Sequence, residues 1–324
     1  MYSNLRLLII TIVLVLVSHG AAAASYPYPL QDFRVESQQQ TLTMRYLDVE
    51  PQSGTQGRGT ALLLHGKNFC ADYWVDTIEL LRGQGYRVVV PEQIGFCSSD
   101  LPHRYQYSFH QLANNTRALL DALGIDQTIV VAHSMGGMLG TRYALKYPAA
   151  VQRLVLVNPI GLEDWIKLGV PHTPVDEAYA AERKKDFESI KQYQLRSYYD
   201  GQWSPAYERW ARRLASLYEG ERGEAVAWSQ ALTYDMLQTQ PVVHEFADLA
   251  VPTLLIIGQR DRTAPGRNKA PEAVARSLGD YPQLGRKAAK AIPNAELVEF
   301  DGLGHLPQIE DFDRYAEALT DYLR

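Results

Sequence analysis

Four short apolar runs recur through the first half of the chain, at residues 61–64, 87–90, 128–131 and 154–157. Each is too short for a buried helix and most are rich in Val and Ile, so they read as strands buried on both faces, as in a parallel sheet. Between them the apolar positions recur at helical spacing, which predicts crossover helices. The clearest starts at Ser108, with Gln111 three residues on as a capping box, carries Phe109, Leu112, Thr116, Leu119, Leu120 and Leu123 on one face, and stops at Gly124. Residues 32–37 and 42–48, around Gln38, Gln39 and Gln40, predict an opening antiparallel hairpin. The strand pattern returns at residues 253–257 and 295–300, with helical sequence over 271–291 between them. A final amphipathic helix carries Phe312, Tyr315, Leu319 and Leu323.

From 161 to 250 the style changes. No strand pattern occurs there, and aromatic residues such as Trp165, Tyr193, Tyr198, Tyr199, Trp203 and Tyr234 stand among charges at helical spacing. The stretch is too long for a plain loop, so it predicts an inserted helical subdomain, with core at 25–160 and 251–324. Its aromatic residues are available for its own core and for a pocket wall. Before the first strand, Arg6 precedes an apolar run over 7–17 and a run of alanines over 21–24. That is the layout of a signal peptide, 1–24, and eleven apolar residues fall short of the about 20 needed to span a bilayer. The expectation is a chain beginning near Ser25, exported to a periplasm or secreted, with no stable membrane insertion.

The 324 residues are 46% hydrophobic and 21% charged, which suits a globular chain with a full core. Lys and Arg number 32 against 37 Asp and Glu, and the acidic excess grows when Arg6 leaves with the leader. That balance argues against nucleic acid and anionic membranes and for a small-molecule partner. Cys70 and Cys97 are the two cysteines, and no Cys/His cluster has zinc-ligand spacing, so no metal or other cofactor is expected. Two free buried thiols are the expectation, a Cys70 to Cys97 disulfide the alternative.

The strand at 128–131 runs into Ala132-His133-Ser134-Met135-Gly136-Gly137 and a helix ending before Pro148. A serine projecting from a sharp strand-to-helix turn needs small neighbours two residues either side, because the backbones there approach closely. The usual pattern is G-x-S-x-G, so Ala132 departs from it by one methyl. The plain alternative makes Ser134 a helix N-cap. A nucleophilic serine needs a base and an acid to orient that base. His305, in Gly302-Leu303-Gly304-His305, can supply the base. Asp261, in the loop leaving the strand at 253–257, and Asp301 are both candidates for the acid. His65-Gly66-Lys67 leaves an earlier strand, and the amides of Lys67 and Met135 are the expected oxyanion donors, each worth about 2.7 to 4 kcal/mol by donor removal elsewhere. His65 and His133 read as packed, hydrogen-bonded side chains and Lys67 as an exposed lysine.

Together, Leu64-His65-Gly66, the run from Pro91 to Asp100, Ala132 to Gly137, Asp261 and Gly304-His305 resemble the α/β-hydrolase superfamily, in its branch with a helical cap after the sixth strand. The resemblance covers about residues 30 to 324, with Ala132 for glycine and Glu92 where aspartate is common. It implies an α/β-hydrolase fold with a mostly parallel eight-stranded sheet and helices on both faces, a Ser134–His305–Asp261 triad, and a cap that shapes the pocket. Ser134 at the elbow argues against dehalogenases and epoxide hydrolases, which attack with aspartate. The expected activity is hydrolysis of a small or medium apolar or aromatic ester through an acyl-serine. The alternatives are C–C bond hydrolysis or cofactor-free haloperoxidase chemistry on the same residues, and a binding protein without turnover.

Overall fold

The computed structural model describes residues 26–324, and the expected signal peptide and its cleavage point lie outside them. Eight strands form one sheet: β1 (Gln31–Ser37), β2 (Gln40–Val49), β3 (Thr60–Leu64), β4 (Arg87–Pro91), β5 (Thr128–His133), β6 (Val151–Val157), β7 (Thr253–Gly258) and β8 (Ala295–Phe300). Their order is β1-β2-β4-β3-β5-β6-β7-β8. β2 runs antiparallel to both its neighbours, and every other pairing is parallel. The hairpin turn is tighter than its sequence suggests. Gln38 and Gln39 take positive φ (53° and 62°), as a two-residue hairpin turn requires, and Gln40 already pairs with Ser37.

The helices are α1 (Val75–Gly83), α2 (Phe109–Ala122), α3 (Met135–Lys146), α4 (Val175–Glu182), α5 (Phe187–Ser197), α6 (Pro205–Leu217), α7 (Gly223–Thr239), α8 (Glu272–Ser277), α9 (Tyr281–Ala291), α10 (Pro307–Glu310) and α11 (Phe312–Leu323). Alternation along the central strands divides the core in two. Leu62, Leu64, Val130, Leu154 and Leu255 pack with Leu112, Leu139 and Leu284 of α2, α3 and α9. Ala61, Leu63, Val131, Val155 and Ile256 face Ile78 of α1 and Tyr315 and Leu319 of α11. Apolar on both sides, these strands show continuous hydrophobic runs. Helices α4 to α7 lie between β6 and β7, with no strand among them.

Three local expectations need correcting. Ser108 does accept the Gln111 N–H at 3.0 Å, but the Gln111 side chain bonds Asn115 at 2.8 Å instead of reaching back, so the cap is single. The helical sequence at 271–291 breaks into α8 and α9 at Gly279, whose φ is +64° and whose N–H is taken by Glu163 at 2.9 Å. A tertiary acceptor there outweighs helix continuity. Cys70 and Cys97 form a disulfide, with Cα atoms 5.7 Å apart. Each follows one of the paired strands β3 and β4, so adjacency in the sheet brings together loops 27 residues apart.

Candidate active site

β3 and β5 are neighbours, but the chain leaves β3 toward β4 on one side and β5 toward β6 on the other. Such a switch point opens a crevice beyond the carboxyl ends of the strands. Ser134 stands there, between β5 and α3, with φ 57° and ψ −120°. Gly136 is required by contact: a Cβ at that position would come within 2.2 Å of the Leu64 carbonyl oxygen. Ala132 is tolerated for the complementary reason, because its methyl faces Gly140, where a further Cβ would lie only 2.9 Å away. Although Ser134 occupies the N-cap position, its side chain makes no capping bond.

The hydroxyl instead donates to His305 Nε2 at 2.9 Å. His305 Nδ1 donates to Asp261 Oδ2 at 2.5 Å, which fixes the tautomer that leaves Nε2 free to accept. Asp261 is fully buried and takes two further bonds, from the Thr263 amide at 2.8 Å and from Asn158 Nδ2 at 2.9 Å. Asp301, the rival acid, is exposed and lies outside this arrangement. Arg260 and Arg262, the obvious surface partners for Asp261, are engaged elsewhere: Arg260 with Glu310, Arg262 with the carbonyls of Gln259 and Asp261.

The His305 loop is held from three sides that its own sequence does not announce. Tyr198 stacks on the imidazole at 4.3 Å, and its carbonyl takes the His305 N–H at 2.9 Å. Gly304 makes that approach possible, since a Cβ there would lie 1.9 Å from the Tyr198 oxygen. Glu310 accepts the N–H groups of Gly304 and Leu306 at 3.0 and 3.1 Å. His133 Nε2 donates to the His305 carbonyl at 2.9 Å, its Nδ1 accepts from the Tyr73 hydroxyl at 3.1 Å, and that hydroxyl accepts the Gly66 N–H at 3.3 Å. One line of bonds thus ties the loop after β3 to the loop carrying His305. Burial drives the His133 pKa well below its usual value and keeps the ring neutral.

His65 is also buried and bonded within the loops, donating from Nδ1 to the Gly66 carbonyl and accepting the Gln93 amide. Burial lowers its pKa to about 4. Gly66 packs against Ser134, a Cβ on it lying 3.1 Å from the serine Cβ, which brings the start of the Lys67 segment beside the nucleophile. Met135 is the first residue of α3, so its N–H has no intrahelical acceptor.

Lys67 is not the exposed lysine expected. Its ammonium reaches into the helical insertion, donating to Gln230 at 2.6 Å and to Glu182 at 3.4 Å, and burial lowers its pKa to about 8 despite the Glu182 charge. Burial alone would raise Glu182, but Lys185, Lys67 and the Tyr218 hydroxyl outweigh it and hold the carboxyl at about 2. Ser134 opens onto a cavity of about 730 Å³ between the loops after β3 and β7 and the helices α4, α5 and α7. Tyr193, Tyr198 and Tyr234 line it, whereas Tyr199, Trp203, Tyr207 and Trp210 pack among themselves and against the core. Among the described residues, the one group spaced to hold a metal ion is Cys70, Glu92 and Cys97, and both its sulfurs are in the disulfide.

A serine hydroxyl bonded to a histidine, itself bonded to a buried aspartate, is an arrangement that can make an alkoxide equivalent. Over residues 61–312 the sequence matches a family described as alpha/beta hydrolase fold. The chain belongs to that family. This hydrolase resembles a probable hydrolytic enzyme from Pseudomonas aeruginosa PAO1, with 53% identity, a TM-score of 0.90, and coverage of 93% of this chain and 96% of that one. It is 26% identical to the 2-hydroxymuconate semialdehyde hydrolase of Pseudomonas putida over 281 residues, 83% of this chain and 88% of that protein. With Lipase 1 of Psychrobacter immobilis it shares 25% identity over 280 residues, 83% of this chain and 78% of the lipase.

Proposed function

We propose that this hydrolase cleaves carboxylic esters through an acyl-serine intermediate. The observation that carries the reading is the pair of bonds Ser134 Oγ to His305 Nε2 and His305 Nδ1 to Asp261. His305 removes the Ser134 proton as Oγ attacks the ester carbonyl. The carbonyl oxygen gathers charge and is met by the amides of Lys67 and Met135. Collapse breaks the acyl–oxygen bond, and the imidazolium gives its proton to the departing alkoxide. Water, deprotonated by the same ring, then releases the acid and restores Ser134. The cavity accommodates a small or medium acyl compound, and Ile160 and Leu237 give it apolar walls.

Ser134→Ala should remove nearly all esterase activity at unchanged circular dichroism, and a fluorophosphonate should label Ser134 alone. Full activity in that variant would end the proposal. C–C bond hydrolysis of a diketone-type substrate is the second reading, favoured by the name of the semialdehyde hydrolase relative. A panel of esters and vinylogous diketones, compared by kcat/KM, separates the two.

Export is part of the same proposal. The leader layout at 1–24 supports it, and so does the Cys70–Cys97 disulfide, since such bonds persist in oxidising compartments. Protein recovered from its host should begin near Ser25. An intact leader on that protein would count against export.

A further inference from the structure

Six cationic side chains line the cavity, Lys67, Lys185, Arg196, Arg262, Arg267 and Lys269, against one carboxylate, Glu182. Ordinary pairing accounts for the lysines: Lys67 and Lys185 share Glu182, and Lys269 meets Glu177 at 2.8 Å. The three arginines are different. Among the described residues, none of them has a carboxylate within ion-pair distance. Arg262 is satisfied in part by two backbone carbonyls, Arg267 by the Leu278 carbonyl, and the buried Arg267 Nε has no acceptor.

All three line the cavity onto which Ser134 opens. Arg262 stands between Asp261 and Thr263, and its amide donates to the Ser197 carbonyl at 2.9 Å, next to Arg196 on α5. Arg267 follows five residues later on the same loop. Burial lowers the Arg267 pKa, Glu163 opposes that, and the Arg262 charge adds to the lowering. Arg262 and Arg267 are half-buried and repel each other, with Glu163 and Asp261 nearby but outside ion-pair distance, and Arg196 is exposed at the cavity wall; a bound carboxylate would offset that repulsion with charge-assisted hydrogen bonds.

We propose that this cavity selects substrates bearing a carboxylate at the end remote from the scissile carbonyl, held by Arg196, Arg262 and Arg267. The kinetic consequence rests on the ester reading above, while the binding site does not.

Two matched pairs test it. In one the carboxylate is on the acyl side, mono-p-nitrophenyl glutarate against p-nitrophenyl pentanoate. In the other it is on the alcohol side, 3-carboxypropyl butanoate against butyl butanoate. At low ionic strength the anionic member of at least one pair should have a kcat/KM about tenfold higher. That preference should fall toward one in Arg267→Gln or Arg196→Gln and shrink with added salt. Arg276→Gln, which changes net charge equally at an exposed position that does not line the cavity, should leave the ratio alone. A ratio of one or less in both pairs, or a ratio that both cavity arginine variants leave intact, overturns the proposal.

If no ester is turned over, the ester reading fails and calorimetry on Ser134→Ala still decides the subsite. Monomethyl glutarate binding about tenfold tighter than methyl pentanoate, with loss of that margin in Ser134→Ala/Arg267→Gln, supports the subsite. Equal binding of the two refutes it.

Discussion

Glu310 grips His305 without touching its ring, by accepting the N–H groups of the residues on either side of it. Arg260 completes the site with a bond to Glu310 at 3.1 Å. Glu310→Ala would strip two buried backbone donors, the Gly304 and Leu306 N–H groups, of their acceptor and take one partner from Arg260, with an expected loss of about 3 kcal/mol of stability. We expect kcat to fall about tenfold while KM changes little, because the imidazole loses its fixed orientation. Urea unfolding and steady-state kinetics on the same preparations check both.

Burial raises the Glu310 carboxyl to about 7, although both backbone bonds and Arg260 favour its charged form. The folded state therefore binds an extra proton between the unfolded value near 4.5 and about 7. This contribution to stability is complete below pH 4.5 and disappears as pH rises through 7. The stability of the wild type relative to Glu310→Gln should decline between pH 5 and pH 8. A constant difference across that range would contradict the assignment.

His65 should make the protein acid-sensitive in a separate window. Its folded pKa of about 4 lies below the ordinary 6.5, so the unfolded chain binds more protons between these values. Stability from this group is full above pH 6.5 and is lost as pH falls toward 4. Replacement of His65 by Gln should lower stability at pH 7 and flatten the dependence between pH 6.5 and 4, measured by urea midpoints.

Ser134 occupies a backbone conformation that disfavours any side chain. Ser134→Gly should be inactive yet more stable than Ser134→Ala by about 1 kcal/mol. Thermal melts of the two inactive variants give the comparison directly. Equal melting temperatures would mean the elbow is not strained.

The disulfide closes a loop 27 residues long. Chain entropy predicts a loss of about 3 kcal/mol on its removal. Cys70→Ser/Cys97→Ser should be less stable by that amount in urea unfolding and lose activity on warming sooner than the parent, while dithiothreitol should alter the parent alone.

The sequence made the sheet legible because strands buried on both faces leave unbroken apolar runs, and the alternation of α and β left little topological choice. Ser134, His305 and Asp261 were readable because each follows a strand in a loop whose small or turn-forming residues have few other uses. What escaped reading depends on partners far along the chain. Asn158 and Tyr198 act through a hydrogen bond and a ring stack that have no local spacing. Glu310 sits five residues past His305 in an unremarkable helical turn. Lys67 looked solvated because nothing near it in sequence foretells Glu182 and Gln230. The disulfide ranked behind two free thiols for a related reason: the two cysteines become neighbours only once β3 and β4 are paired.

Lys67 belongs to two structures at once. Its backbone continues the loop packed on Ser134, and its ammonium is bonded to α4 and α7 of the insertion. Swinging those helices away would take both acceptors from a buried cation and expose it to water. The setting of the loop beside Ser134 and the seating of α4 and α7 are therefore linked through one side chain, and mutations at Glu182 or Gln230 should be felt as changes in kcat as well as in KM.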